Sequence, residues 1–104
     1  MPKEKLGIKK SELRENEPIK TDISGRSFVI ILHNGNVYAL DEECTHEHGP
    51  LHEGYVDGDE LICPWHSGAF NIATGKANEN TPWVTDTNHY KIEEDSSGEL
   101  EIFI

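Results

Sequence analysis

The alternation of apolar and polar residues along this chain predicts short β-strands and no amphipathic helix. Residues 27–33, Ser-Phe-Val-Ile-Ile-Leu-His, are almost continuously apolar and rich in β-branched side chains, which is typical of a buried strand. Asn34-Gly35-Asn36 follows as a strong hairpin signal, and residues 37–40 supply the returning strand. We therefore expect an antiparallel hairpin over residues 27–40.

The other apolar segments are shorter and are separated by turns and loops. Strands are predicted at residues 6–8, 18–23, 60–62, 69–72, 89–93 and 99–104. The last two alternate with period two around Ser96-Ser97-Gly98 and are expected to close the fold as a hairpin. Residues 41–56 are rich in charge, Gly and Pro and are predicted to be a loop, and residues 76–88 lack hydrophobic periodicity and are predicted to be an ordered loop. The fold class expected is all-β and mostly antiparallel.

The length of 104 residues predicts a single domain over residues 1–104, too short to hold a second, catalytic domain. The N-terminal residues are charged and lack an apolar run, so neither a signal peptide nor a membrane anchor is predicted. No stretch approaches the length of a transmembrane helix. A cytoplasmic location is therefore expected.

The charge is distributed unevenly along the chain. Residues 1–26 carry seven Lys or Arg and five Asp or Glu, whereas residues 27–104 carry two and fifteen; the whole chain has a formal charge of −11. An acidic body of this kind repels nucleic acid, which excludes that class of partner. It favours docking on a basic patch of a protein, although an acidic surface also serves solubility alone. Acidic residues flank the candidate chemistry at Asp41, Glu42, Glu43, Glu47 and Glu53.

That chemistry lies in two Cys-His pairs, Cys44-Thr45-His46 and Cys63-Pro64-Trp65-His66, separated by sixteen residues. Two thiolates and two imidazoles form a four-ligand set that suits an iron-sulfur centre or zinc rather than magnesium or calcium. A disulfide between the two cysteines is the alternative for a small secreted protein, and the absence of a signal peptide leaves it little support.

The pattern C-T-H followed by C-P-x-H resembles the Rieske-type [2Fe-2S] site of soluble ferredoxins. The resemblance is close over roughly residues 35–75 and extends to Leu51, Gly54, Ile62, Gly68 and Phe70. It implies an antiparallel β-sandwich or barrel with a small cluster-binding subdomain, about residues 41–75, formed by two loops. Respiratory Rieske sites carry two further cysteines, and Gly49 and Trp65 stand at those positions here, so the loops are expected to be held by packing alone.

The resemblance also assigns the ligands of one [2Fe-2S] cluster. Cys44 and Cys63 would hold the inner iron, and His46 and His66 the outer one. Because imidazole is neutral, the added electron is expected mainly on the histidine-bound iron. High-potential members place Ser and Tyr donors where this chain has Gly68 and Phe70, so a midpoint at the lower end of roughly −150 to +300 mV is expected.

The function implied by the resemblance is a soluble, monomeric one-electron carrier rather than an enzyme. Its partners would be a flavin reductase as donor and a terminal oxygenase or similar acceptor, with no nucleic acid and no membrane involved. Two other classes stay open. A Cys2His2 set is common in structural zinc modules, although the gap of sixteen residues and the short C-x-H pair are unusual there. A redox sensor would use the same cluster to report rather than to transfer electrons.

Several residues near the ligands have both a structural and a functional interpretation. His48 competes with His46 as a ligand, and the family pattern favours His46. His52 is interpreted as a surface residue, and structural roles are favoured for His33 and His89.

The aromatic and proline residues near the site are interpreted in the same way. Trp65 and Trp83 either shield the cluster and contact a partner or simply pack. Pro82 fits the loop that covers the cluster in this family, and Asp86 stands where a second proline is expected. The Ser67 hydroxyl is favoured as a loop hydrogen-bonder over a donor to the cluster.

Overall fold

The computed structural model describes residues 3–45, 49–65 and 67–104. The described residues form ten strands: β1 (Lys3–Lys9), β2 (Ile19–Ile23), β3 (Arg26–His33), β4 (Asn36–Asp41), β5 (Tyr55–Asp57), β6 (Glu60–Ile62), β7 (Ala69–Asn71), β8 (His89–Tyr90), β9 (Ile92–Glu94) and β10 (Glu99–Phe103). Short 3₁₀ turns occur at Lys10–Glu12 and Leu51–Glu53. The described ranges contain no α-helix, and none of their helical segments has the length and apolarity to cross a bilayer. The predicted all-β class is confirmed.

The strands form three antiparallel sheets. The first sheet has the order β1-β10-β9, the second β2-β3-β4-β8 and the third β5-β6-β7. Two tight turns build the second sheet: Ser24 and Gly25 join β2 to β3, and Asn34 and Gly35 join β3 to β4, all four with positive φ between 52° and 80°. Such turns match the right-handed twist of antiparallel strands, so the predicted hairpin over residues 27–40 is confirmed.

Two segments differ from the sequence-based expectation. Residues 55 and 56, which are predicted to end the loop over residues 41–56, form β5 together with Asp57 and pair with β6. The strand expected at residues 89–93 is broken at Lys91, because β8 pairs with β4 in the second sheet whereas β9 pairs with β10 in the first. Both misassigned segments are three residues or shorter, and their pairing partners decide their conformation.

The second sheet separates two apolar cores, which explains why the β3 sequence is apolar at consecutive positions. Val29 and Ile31 point into a core shared with the third sheet, whereas Phe28 and Ile30 point into a core shared with the first sheet. Alternate residues of a strand face opposite sides, so both faces of β3 are buried. The first of these cores also contains Cys44 and Cys63. The candidate site therefore rests directly on the packed interior.

Candidate metal centre

Two loops carry the candidate ligands, and the same hydrogen bond closes each of them. The Cys44 amide donates to the Gly49 carbonyl at 2.8 Å, and the Cys63 amide donates to the Gly68 carbonyl at 2.7 Å. Each bond joins a cysteine to the residue five positions further on. The first ligand loop follows β4, and the second connects β6 to β7. Two strands of different sheets, β4 and β6, thus deliver two similar loops to one place.

The two cysteine sulfurs lie next to each other in a dry environment. Cys44 is 2 % exposed and Cys63 is 1 % exposed, and both are free thiols, so the disulfide alternative is not formed. Burial raises the pKa of the Cys63 thiol to about 11; a hydrogen bond from the Trp65 backbone lowers it, and the hydrogen bond with Cys44 raises it. A metal that binds here must displace the thiol proton, as soft metals do at cysteine sites.

Gly49 brings the two loops into contact. A Cβ atom at Gly49 would lie 2.8 Å from Cys63 Sγ and 3.3 Å from Trp65 Cβ. Real Cβ atoms essentially never approach another heavy atom that closely, so the first loop passes the second only because residue 49 has no side chain. The packing contact expected between residues 49 and 65 is present.

A covering segment, residues 81–88, is tied to both ligand loops. The Thr45 hydroxyl donates to the Thr85 carbonyl at 2.8 Å and accepts from the Thr85 amide at 3.0 Å. On the second loop, a Cβ at Gly68 would lie only 2.6 Å from Val84 Cγ1. The loop predicted at residues 76–88 is therefore ordered and covers the site, as the family resemblance implies.

Asp86, which stands where a second proline was expected, helps to fix this cover. Its carboxylate accepts a hydrogen bond from the Ala77 amide at 2.8 Å. At the end of the segment, Asn88 donates to the Asp41 carboxylate at 2.9 Å, and the Asp41 amide donates to the Asn88 carbonyl at 3.2 Å. Polar contacts thus hold the covering segment in place without the second proline.

Glu42 and His52 form a contact that the sequence did not predict. Glu42 is 4 % exposed, and its carboxylate accepts a 3.0 Å hydrogen bond from the His52 amide and a second bond from the His52 ring at Nδ1. The prediction that Glu42 is a surface docking charge is therefore wrong, because the residue is buried, whereas His52 is partly exposed as predicted and also has a buried partner. The carboxylate of Asp41 is likewise engaged, since the Tyr90 hydroxyl donates to it at 2.7 Å. The sequence carries no signal for these contacts.

The remaining histidines fall into two groups. His33 is buried, with Asn16 Oδ1 2.6 Å from Nδ1 and Asp59 Oδ1 2.9 Å from Nε2, so it has the structural role that was predicted. His89 is exposed at the start of β8. The predicted ligands His46 and His66 and the competing His48 lie outside the described residues, as does Glu47.

The surface of this half of the protein combines acidic and aromatic side chains. The exposed large apolar residues of the described chain are Tyr55, Trp65 and Trp83. Tyr55 is in β5, Trp65 is in the second ligand loop, and Trp83 is in the covering segment. Trp65 is 49 % exposed and Trp83 is 43 % exposed. From residue 27 to residue 75 the sequence contains no lysine or arginine. The ligand loops therefore lie in an acidic surface that includes exposed aromatic rings.

Comparison with known protein families identifies the kind of site that these two loops form. Residues 5–91 match the sequence profile of the Rieske [2Fe-2S] domain. The chain belongs to the Rieske [2Fe-2S] domain family. Members of this family bind one cluster through two cysteines and two histidines. Two buried thiols side by side, with a backbone donor to one sulfur, fit the cysteine half of this ligand set.

Relatives within the Rieske family include small ferredoxins. The chain is 34 % identical over 67 residues to the ferredoxin component of a naphthalene 1,2-dioxygenase system from Pseudomonas putida, a match that spans 64 % of each protein. The solved structure of the Sphingomonas yanoikuyae B1 ferredoxin has a TM-score of 0.88 and 28 % identity, with 99 % of each chain covered. The chain is also similar to a solved complex of reduced oxygenase and oxidised ferredoxin in carbazole 1,9a-dioxygenase. That match has a TM-score of 0.86 and 27 % identity, and it covers 96 % of this chain and 91 % of the matched chain.

Proposed function

We propose that this protein is a one-electron carrier of a multi-component oxygenase system, and not itself an enzyme. Cys44, His46, Cys63 and His66 would hold one Rieske-type [2Fe-2S] cluster, with the cysteines on one iron and the histidines on the other. When bound, the cluster takes up and releases a single electron. The single domain would span residues 1–104, with its cluster-binding subdomain at about residues 41–75.

The chain's own residues supply what a carrier needs. The apolar core beneath Cys44 and Cys63, with Phe70 fully buried in it, keeps water from the sulfur side. The covering segment closes a further side through Val84 and Thr85. The backbone amide of Trp65 donates to the Cys63 sulfur and stabilises negative charge there. Rigid burial of this kind keeps reorganisation small when the charge changes.

The partners proposed are a reductase as electron donor and a terminal oxygenase as acceptor. The support is that a similar ferredoxin has been solved in complex with the oxygenase of its system. The acidic surface around the ligand loops favours a basic docking patch on each partner, and aromatic side chains such as Trp65 and Trp83 are the type that contributes most at interfaces. We further propose that the carrier is monomeric and cytoplasmic.

The observation that carries this proposal is the pair of buried, adjacent thiols on two matching loops within a Rieske-family chain. The test is the visible spectrum, iron content and zinc content of protein purified without added metal. We expect about two irons per chain, bleaching by dithionite and the low average g-value of a histidine-ligated cluster. A colourless protein that holds one zinc and does not take up iron and sulfide would overturn the proposal. Rapid reduction by a flavin reductase and reoxidation by an oxygenase would distinguish the carrier from a sensor.

The carrier is also proposed to be of the low-potential type. Gly68 lacks a side chain, and Phe70 is a buried hydrocarbon ring, so neither side chain can donate a hydrogen bond that would stabilise the reduced state. The midpoint is expected near the lower end of roughly −150 to +300 mV. A redox titration with a midpoint well above zero would contradict this.

A substitution can test the cause of the low potential. Gly68→Ser would collide with Val84, so it is combined with Val84→Ala, and Val84→Ala alone serves as the control. We expect a higher midpoint for the double variant than for the control, because the new hydroxyl can donate to a cluster atom. Equal midpoints in the two proteins would assign the low potential to another cause.

A further inference from the structure

The base of the first ligand loop is held by Glu42, whose carboxylate and backbone each make two hydrogen bonds. Glu42 Oε1 accepts from the His52 amide at 3.0 Å, and Oε2 is bonded to His52 Nδ1. The Glu42 carbonyl accepts from the Leu51 amide at 2.9 Å, and its own amide donates to the Ser27 carbonyl at 3.2 Å. The side chain of Glu42 is 5 % exposed and that of His52 is 32 % exposed. We call the Glu42–His52 pair the clasp.

The clasp closes the loop a second time, between residues that lie outside the Cys44–Gly49 hydrogen bond in sequence. It joins residue 42 to residue 52 and so encloses the whole stretch that carries Cys44. Within this stretch, the described residues 43–45 and 49–50 form no regular strand or helix, and their backbone pairing is limited to the isolated bridge between Glu43 and Pro50. Where backbone pairing is this short, side-chain hydrogen bonds such as those of Glu42 help to define the shape of the loop.

Opening the clasp would be costly in free energy. A buried carboxylate without hydrogen-bond partners loses the stabilisation that offset its removal from water. Leu51, next to His52, is fully buried in the same core as Cys44 and Cys63, so the loop cannot swing out without exposing it. The clasp and Leu51 therefore favour a single arrangement of the loop, with the Cys44 sulfur directed inward beside Cys63.

We propose that Glu42 and His52 are positioning residues that hold the first ligand loop in its ligand-presenting shape independently of the cluster. Neither residue is a ligand in this assignment; each acts through the backbone that carries Cys44. The inference rests on the proposed function, because it takes this loop to be one that binds the cluster. A loop held in advance binds more tightly, since less conformational entropy is lost when the cluster enters.

The test measures two quantities on full-length protein: the rate of iron loss from the holoprotein to an excess of a chelator, and hydrogen exchange of the loop amides in the metal-free protein. The variants are His52→Ala, Glu42→Gln, Glu42→Ala and the double alanine variant. His52→Ala removes a hydrogen bond to a charged group, so we expect iron to be lost about tenfold faster than from wild type. Hydrogen exchange of the loop amides should also be faster in this variant. Glu42→Gln keeps an oxygen for the His52 amide and should lie between His52→Ala and wild type.

The double variant gives the sharpest result. If His52 acts only through Glu42, the double variant loses iron at the rate of Glu42→Ala alone. Additive effects would show that His52 acts separately and would overturn the clasp. Should Glu42→Ala fail to fold, His52→Ala and Glu42→Gln still decide the question, since wild-type behaviour of both would overturn it.

Two exposed residues of the same types serve as controls. Glu53→Gln changes a carboxylate next to His52 in the same loop, and His89→Ala removes an exposed imidazole elsewhere; both should match wild type. Iron loss as fast in these controls as in His52→Ala would overturn the proposal. If the wild-type protein takes up no [2Fe-2S] cluster, the proposed function fails, whereas hydrogen exchange in the metal-free protein still tests the clasp by itself.

Discussion

At the scale of single residues, Gly49 shows how little space is left beside the cysteine sulfurs. Its missing side chain is what allows the first ligand loop to pass within contact of Cys63 Sγ and the Trp65 ring. The same position would hold a cysteine in respiratory Rieske sites, according to the resemblance. In this chain, close backbone packing takes the place of a covalent link between the loops.

We expect Gly49→Ala to reduce the cluster content of the purified protein to a small fraction of the wild-type value. The new Cβ would lie 2.8 Å from Cys63 Sγ, so the sulfur or the loop must move. Gly58→Ala is the matched control: Gly58 has φ +63° in the β5–β6 turn with nothing within 4 Å of a new Cβ. That change should lower stability by about 1 kcal/mol and keep the cluster. Equal iron content in Gly49→Ala and wild type would contradict the expectation.

Tyr90 provides a pH-dependent prediction at the same scale. Burial and the nearby Asp41 carboxylate raise the pKa of Tyr90 to about 12, although Arg26 lowers it. Because the pKa is higher in the folded protein than in the unfolded chain, where it is about 10, folding favours the neutral phenol. This stabilisation is complete below pH 10 and is lost as the pH rises through 12. The destabilisation caused by Tyr90→Phe, measured by urea unfolding, should therefore be constant up to about pH 10 and shrink above it. A destabilisation that shrinks below pH 9 would refute this assignment.

At the scale of elements, the covering segment is an irregular stretch that becomes ordered by contacts with both ligand loops. Its hydrogen bonds with Thr45 are made by the Thr85 backbone, and Val84 occupies the space that Gly68 leaves. Because the segment has no hydrophobic period of its own, these contacts and not local propensity define its shape. It acts as a third loop of the site.

We expect Thr45→Val to loosen this cover. The variant removes both hydrogen bonds to the Thr85 backbone, at a cost of about 0.5–1.5 kcal/mol for each, because water can reach these exposed groups. Iron loss to a chelator and oxidative bleaching should both become faster. Thr85→Val is the control, since both bonds use the Thr85 backbone and survive the change. Identical rates for the two variants would show that the cover is held elsewhere.

At the scale of the whole molecule, the basic residues are distributed unevenly and lie mainly in the first 26 residues of the sequence. Lys3 and Lys5 of β1 form ion pairs on the first sheet with Glu101, Asp95 and Glu99. The ligand loops lie beyond the second sheet, within the stretch of residues 27–75 that lacks lysine and arginine. No basic residue within that stretch offsets its acidic residues, so the proposed partners would approach an uncompensated acidic surface.

This asymmetry predicts the salt dependence of electron transfer to the oxygenase. The bimolecular rate should fall as ionic strength rises from about 10 to 200 mM, because exposed charges are screened over about 10 Å. Glu53→Lys, at an exposed position of the first ligand loop, should slow transfer about threefold or more at low salt. Glu94→Lys on β9 makes the same change in net charge on the first sheet and should have little effect. Equal slowing by both variants would assign the effect to net charge rather than to a docking face.

The sequence by itself determined the features that depend on local pattern and on ligand chemistry. Two Cys-His pairs at a fixed spacing indicate a four-ligand metal set, and the apolar run of β3 with Asn34-Gly35 indicates a buried hairpin. These signals are strong because each needs only neighbouring residues. The identities of Gly68 and Phe70 likewise indicate that neither side chain can donate a hydrogen bond at these positions, and the low potential inferred from them stays a prediction.

Only the tertiary structure decided the features that depend on residues distant in sequence. Glu42 belongs to an acidic run, and its burial against His52 follows from the path of the loop over the core. The break at Lys91 arises because β8 and β9 pair with different sheets, and the first sheet joins the two ends of the chain through β1 and β10. Pairing energy of this kind is non-local, so no window of the sequence contains it.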